Sequence, residues 1–118
     1  MISFEDFAKV ELKTGRVLSA ESVEGSEKLI KLMVDVGEEQ PRQILAGIRK
    51  WYEPEILVGR TIIVAANLEP KTFMGLESQG MLLAAPARNA SQSEAGGDGE
   101  KPIPLTTLEE VEPGAKIR

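Results

Sequence analysis

Ile30, Leu32, Val34 and Val36 alternate with Lys31, Met33, Asp35 and Gly37. Apolar residues spaced by two spread around an α-helix, but they line one face of an extended strand. This run therefore requires a sheet with one buried face. Its neighbours extend the requirement. Val10, Leu12, Thr14, Arg16, Leu18 and Ala20 share one side of an earlier strand, with Gly15 and Val17 on the other. Glycine within such a run predicts a bulge or bend, as the corner of a small barrel needs. Arg42 to Ile48 is a short β-rich run, and Met81 to Ala85 is an apolar run introduced by Gly80. Thr61 to Ala66 is continuously apolar and β-branched, the pattern of a central strand.

Between these runs the chain carries turn and helix signals. Ser3 can cap a helix of about two turns, with Asp6 as its capping-box partner and Ile2 and Phe7 as a hydrophobic staple. So short a helix is marginal alone and must pack on something. Glu24-Gly25-Ser26 and Gly37 to Pro41 read as turns, and residues 49–59 as a short helix or turn-rich connection. Residues 86–102, rich in Pro, Asn, Ser, Gln and Gly, read as a flexible loop. Ile103 to Arg118 is a tail with a turn at Glu112-Pro113-Gly114. With 118 residues the chain is one domain, 1–118, and five or more short strands with one small helix predict an all-β, closed or nearly closed barrel.

Composition narrows the function. The chain has no cysteine and no histidine, which removes disulfides, thiol nucleophiles, His-based triads and the commonest metal ligands together. The neighbouring pairs Glu38-Glu39 and Glu109-Glu110 border turns and read as solvated charge rather than metal or acid–base groups. No Gly-rich phosphate cradle is followed by Lys-Ser/Thr. No apolar run approaches the ~20 residues of a membrane span, so the expectation is a cytoplasmic, non-catalytic binding module without cofactor. The net charge is −5, but it is unevenly spread: residues 1–39 carry −4, residues 77–118 carry −3, and residues 40–76 carry +2. An acidic chain with one basic stretch repels RNA everywhere except at a restricted footprint.

The most informative stretch is Asn67-Leu68-Glu69-Pro70-Lys71-Thr72-Phe73-Met74-Gly75-Leu76-Glu77-Ser78-Gln79-Gly80-Met81. One reading is a structural loop with a methionine plugging a gap. The other is a surface of Asn, Lys, Ser and backbone amides suited to phosphates and 2′-hydroxyls. Only five aromatic residues are present, too few for the track of rings that sequence-tolerant single-strand binding uses.

The chain resembles the tRNA-binding domain family, whose members are appended to methionyl-tRNA synthetases or stand free. The resemblance rests on Phe4-Glu5-Asp6-Phe7-Ala8-Lys9-Val10, Leu32-Met33-Val34-Asp35-Val36-Gly37, Val64-Ala65-Ala66-Asn67-Leu68-Glu69-Pro70-Lys71 and Glu77-Ser78-Gln79-Gly80-Met81-Leu82-Leu83-Ala84-Ala85. Further matches are Tyr52 to Arg60 and Val111 to Arg118. Within Val23 to Leu29 only Lys28-Leu29 carries over, and Thr14 and Arg16 depart from the family's usual first strand.

The resemblance implies a five-stranded OB-fold barrel with a short N-terminal helix and a C-terminal extension, 103–118, used for dimerisation. It implies binding of tRNA by shape, with Lys28, Asn67, Lys71, Ser78 and Met81 on the binding face. Arg42, Arg49 and Lys50 are added from the local charge excess. The implied partners are tRNA, a second copy of the chain and the catalytic body of methionyl-tRNA synthetase, and neither DNA nor membrane. Two alternatives are a chaperone-like homodimer that binds unfolded polypeptides and a dimerisation module for synthetase subunits.

Overall fold

The computed structural model describes residues 1–87 and 100–118. Eleven elements follow one another: α1 (Phe4–Ala8), β1 (Leu12–Ser22), β2 (Ile30–Asp35), β3 (Arg42–Ala46), a 3-10 turn (Pro54–Leu57), β4 (Thr61–Ala65), β5 (Lys71–Phe73), β6 (Leu76–Ser78), β7 (Met81–Leu82), β8 (Ala84–Ala87) and β9 (Lys101–Pro104). Five of them form one antiparallel sheet in the order β3-β2-β1-β4-β7. It curls into a nearly closed barrel of the OB type.

The alternation that opens the sequence does what the pleat requires. Ile30, Leu32, Val34 and Val36 are fully buried and face Val17, Ile44, Ile62 and Val64 across the barrel interior. Each such side chain removed from water contributes about 1.5–3 kcal/mol to the folded state. Thr61 to Ala65 is the central strand the β-branched run predicts. The 49–59 connection contains the 3-10 turn, begun by Pro54.

β1 serves two partners by bending. Arg16 to Ser22 pairs with β2, and Leu12 to Arg16 pairs with β4. The bulge sits between Val17 and Ser19, three residues beyond the glycine expected to make it. Gly15 has a different task. A Cβ there would stand 2.6 Å from Cγ1 of Val34 and 3.2 Å from Cγ1 of Val36, so its bare backbone lets the opposing valines close over the bend.

Where β2 leaves β1, the C-terminal tail takes its place. The Thr14 amide donates to the Ala115 carbonyl (2.9 Å), and the Ile117 amide donates to the Leu12 carbonyl (2.8 Å). The buried Thr14 hydroxyl donates to the Glu112 carbonyl (2.8 Å) and accepts from the Ala115 amide (2.9 Å). Gly114, at φ +87°, passes so close to Val36 and Gly37 that a Cβ would lie 2.7 Å from the Val36 carbonyl oxygen.

Three expectations change. The run Met81 to Ala85 is not one strand: β7 pairs with β4, and beyond Leu83 the chain turns to pair with β9. The expected loop 86–102 is shorter, because Pro86, Ala87, Lys101 and Pro102 belong to the β8–β9 pair, while 88–99 lie outside the described residues. Helix α1 has the predicted cap, with the Asp6 amide donating to the Ser3 hydroxyl (3.1 Å), yet it spans five residues and buries none of them.

Candidate nucleic-acid interface

β5 and β6 form a small hairpin that projects from the barrel beside β3. Its two-residue turn is Met74-Gly75, both at positive φ (53° and 79°), as the tight turn between twisted strands demands. Glycine accepts that geometry freely. Methionine does so at a cost of about 1–2 kcal/mol, since its Cβ crowds the following carbonyl. The Met74 side chain reaches the β1–β2 loop, where its Cε lies 3.4 Å from where a Cβ on Gly25 would stand.

That loop is tied in turn to the segment after β3. Ser26 Oγ accepts from the amides of Lys28 (3.2 Å) and Leu29 (3.1 Å). The Arg49 amide donates to the Lys28 carbonyl (3.1 Å), and Arg49 Nη1 donates to the Ser26 carbonyl (2.7 Å). Three connections therefore meet at one end of the barrel, and they carry Lys28, Arg49, Lys50 and Lys71. All four side chains are exposed, and none is in an ion pair among the described residues. The same three connections also carry the exposed carboxylates Glu24, Glu27, Glu53 and Glu77, so their formal charges balance, against a net of −5 for the chain as a whole.

Lys71 also borders a groove. Its Nζ lies 5.4 Å from the centre of the Phe73 ring, within cation–π range. Leu45, Leu68, Phe73 and Met81 supply the apolar walls, Glu69 a carboxylate, and the enclosed volume is about 170 Å³. Met81, an expected contact, is 48% exposed here. Leu68, Phe73 and Met74 were not singled out from the sequence. The signal was present in Met74-Gly75, a two-residue connection between short β-prone runs.

The other expected contacts are differently placed. Ser78 was expected on the binding face but is only 4% exposed. Its hydroxyl accepts from the Leu45 amide (3.0 Å) and donates to the Gly80 carbonyl (2.9 Å), so it joins β6 to β3 at the seam of the barrel. Gln43 and Gln79 continue that seam. The Gln79 amide donates to the Gln43 carbonyl (2.8 Å), the Gln43 amide to Gln79 Oε1 (2.9 Å), and Gln43 Nε2 to the Glu77 carbonyl (2.9 Å).

Asn67 is exposed, but its amide clips the segment before β1. Oδ1 accepts from the Glu11 amide (2.8 Å), and Nδ2 donates to the Lys9 carbonyl (2.7 Å). Arg42 is half-buried and fully engaged. Nε and Nη2 donate to the two carboxylate oxygens of Glu38 (2.8 and 2.7 Å), and Nη1 donates to the carbonyls of Gln79 (3.0 Å) and Ala66. The Arg42 hydrogen bonds hold the Glu38 carboxyl below its ordinary value, and Glu38 raises Arg42 in return. So Glu38 is a partner of the seam, where a solvated turn residue was expected. Arg42 braces that seam, and a phosphate would have to displace a bidentate carboxylate to reach it.

Among the described residues no three acidic side chains converge as a metal site would require. No helix among them is long and apolar enough to cross a membrane.

Fold and surface together define a small barrel with exposed cations on adjoining connections and a groove beside them, the architecture of a binding module. Residues 12–116 match the family described as "Putative tRNA binding domain", and the chain belongs to this family. It is 51% identical over 118 residues to a methionine–tRNA ligase of Methanoregula boonei, and 45% identical over 117 residues to that of Methanocella arvoryzae. All or nearly all of this chain (100% and 99%) is covered in those matches, yet it spans only 16% and 15% of the two enzymes' lengths. Two solved structures are similar along their whole length. A MetRS-related protein from Pyrococcus horikoshii has a TM-score of 0.84 at 37% identity, covering 100% of this chain and 98% of that one. The chaperone CsaA of Bacillus anthracis has a TM-score of 0.81 at 32% identity, covering 100% and 99%.

Proposed function

We propose that this domain binds folded tRNA through the end of the barrel formed by the β1–β2 loop, the segment after β3 and the β5–β6 hairpin, and that it supplies tRNA to methionyl-tRNA synthetase. The observation that carries the reading is the set of exposed cations without ion pairs, Lys28, Lys50 and Lys71, together with Arg49, whose guanidinium spends one donor on the Ser26 carbonyl, on neighbouring connections. With about two to five phosphates engaged, binding is modest and its salt dependence shallow. Asn67, with one amide proton and one lone pair left over, is placed to read a sugar hydroxyl. Ser78 and Arg42 act as supports that fix the hairpin and the rim.

Weak docking is useful where it raises effective concentration. A domain fused to a synthetase, or bound to one as a free-standing homodimer, keeps tRNA near the catalytic body. Self-association is supported by apolar side chains left in water: Phe4 is 75% exposed, Phe7 and Ile2 are also exposed, and the helix that carries them buries nothing. A five-residue helix is unstable alone, and a second copy would give it a packing surface. Sedimentation of the wild type against a Phe4→Ser/Phe7→Ser variant tests this, with a halved mass expected for the variant.

Retardation of tRNA in a native gel at low salt tests the main reading, and a wild-type domain that leaves tRNA unshifted overturns it. A second reading has one specific observation in its favour, the apolar groove beside Lys71, together with the likeness to a protein described as a chaperone. Suppression of aggregation of an unfolded polypeptide, measured on the same sample, separates the two.

A further inference from the structure

We infer that the groove between Leu68, Phe73 and Met81 is a subsite for a single unstacked nucleobase of the bound RNA, with Lys71 engaging the adjoining phosphate. The inference rests on the tRNA-binding reading and adds a mode of contact to it. The groove has the make-up of a small-ligand site, with apolar walls and a few polar groups at the edge. Its walls are Leu45, Leu68, Phe73 and Met81, its polar edge is Lys71 and Glu69, and Ser78 and Gly80 complete the lining. Its volume of about 170 Å³ suits one planar ring rather than a run of them.

The position of Lys71 points to a nucleotide rather than an aliphatic side chain. Its ammonium lies 5.4 Å from the Phe73 ring centre, over a face that no described aromatic ring covers. When a phosphate draws Lys71 outward, that ring face becomes free for a base. Met81 and Leu68, both about half exposed, form the opposite wall. The Glu69 carboxylate, with no ion pair among the described residues, is placed to accept from an exocyclic amino group. One ring lines the groove and gives one stacked base there, in keeping with a chain that has too few aromatics for a track.

The hairpin's strained tip fits the same purpose. Met74 holds a left-handed conformation that asparagine or glycine would hold more easily, and it is 60% exposed. Its Cε reaches over Gly25, on the loop that carries Lys28, to 3.4 Å from where a Cβ would stand. Backbone strain of this kind collects where a ligand is held.

The experiment has two arms. In the first, the isotopically labelled domain is titrated with AMP and UMP, following the Met81 and Leu68 methyl signals and the Phe73 ring. Saturable shifts at all three are expected. Shifts confined to the lysines, or shifts at these methyls only with an apolar peptide, overturn the inference. In the second, tRNA affinity is measured across salt for Phe73→Leu and, as a variant at an exposed position, Met81→Ser. A loss of about tenfold for Phe73→Leu with an unchanged salt slope is expected, since a stacked base is removed and no phosphate contact is. Wild-type affinity in both variants overturns the subsite and leaves the tRNA reading standing. Failure of the wild-type domain to bind tRNA overturns that reading instead, and the mononucleotide arm then decides the groove alone.

Discussion

The polar side chains of this barrel fall into two sets that are alike in sequence and opposite in use. Along the seam where β3 meets β6 and β7, Arg42, Gln43, Ser78 and Gln79 spend their hydrogen bonds on one another's strands. At the adjoining end, the side chains of Lys28, Lys50 and Lys71 make no hydrogen bond or ion pair within the described chain. The difference teaches that residue type alone does not mark a contact. A cation or hydroxyl is available to RNA only when the fold has not already claimed it.

This contrast can be broken by substitution. The largest effect is expected for Arg42→Ala, which leaves Glu38 and two carbonyls without their donor. Chemical denaturation should register a loss of about 2–4 kcal/mol. Ser78→Ala strands the buried Leu45 amide and should cost about 1–3 kcal/mol, seen as a lower midpoint of thermal unfolding. Below that midpoint its tRNA affinity should stay within a factor of two or so of wild type. A large binding defect in a fully folded Ser78→Ala domain would dissolve the distinction. Lys28→Ala combined with Lys71→Ala should do the reverse. Stability should hold within about 0.5 kcal/mol, while tRNA affinity at low salt falls about tenfold or more and the salt slope flattens by roughly 1.5.

The smallest effect concerns pH. Glu38 is held below its ordinary value by the Arg42 hydrogen bonds, so its contribution is fully present above the ordinary carboxylate range. That contribution is lost as pH falls through the depressed folded value. The pair is partly exposed, so Glu38→Gln should cost under about 1 kcal/mol near neutrality, with the gap to wild type closing in acid. A gap that widens in acid would contradict this assignment.

The fold was largely legible because its signals are local. Alternation at 30–36, the β-branched run at 61–66 and the Ser3 cap each depend on neighbours in sequence, and each appears where expected. The site was legible only in part. Lys28, Lys71 and Met81 are exposed, which leaves them free for the contact proposed for them. The structural bonds of Ser78 and Arg42 could not be foreseen, because their partners lie 33 and 24 residues away, across a closure that no local pattern announces. Gly15 announces a bulge or bend and the bend is there, but local pattern could not show why only glycine fits, since the crowding side chain is Val34, nineteen residues on. The break after β7 was invisible for a similar cause: Leu83 looks like its neighbours, and only the arrival of Leu105 redirects the chain.

The clasp between Thr14 and residues 112–115 joins parts of the chain about a hundred positions apart. A strand edge opened at residues 12–14 is thus sealed by residues 112–117, from the far side of the domain's own sequence. During synthesis the growing polypeptide must carry that raw edge, and the bend at Gly15, until residue 117 has cleared the ribosome. Closure of this sheet therefore depends on residues 112–118, and removing them should expose a strand edge that pairs with other chains, seen as concentration-dependent aggregation rather than a slightly smaller domain.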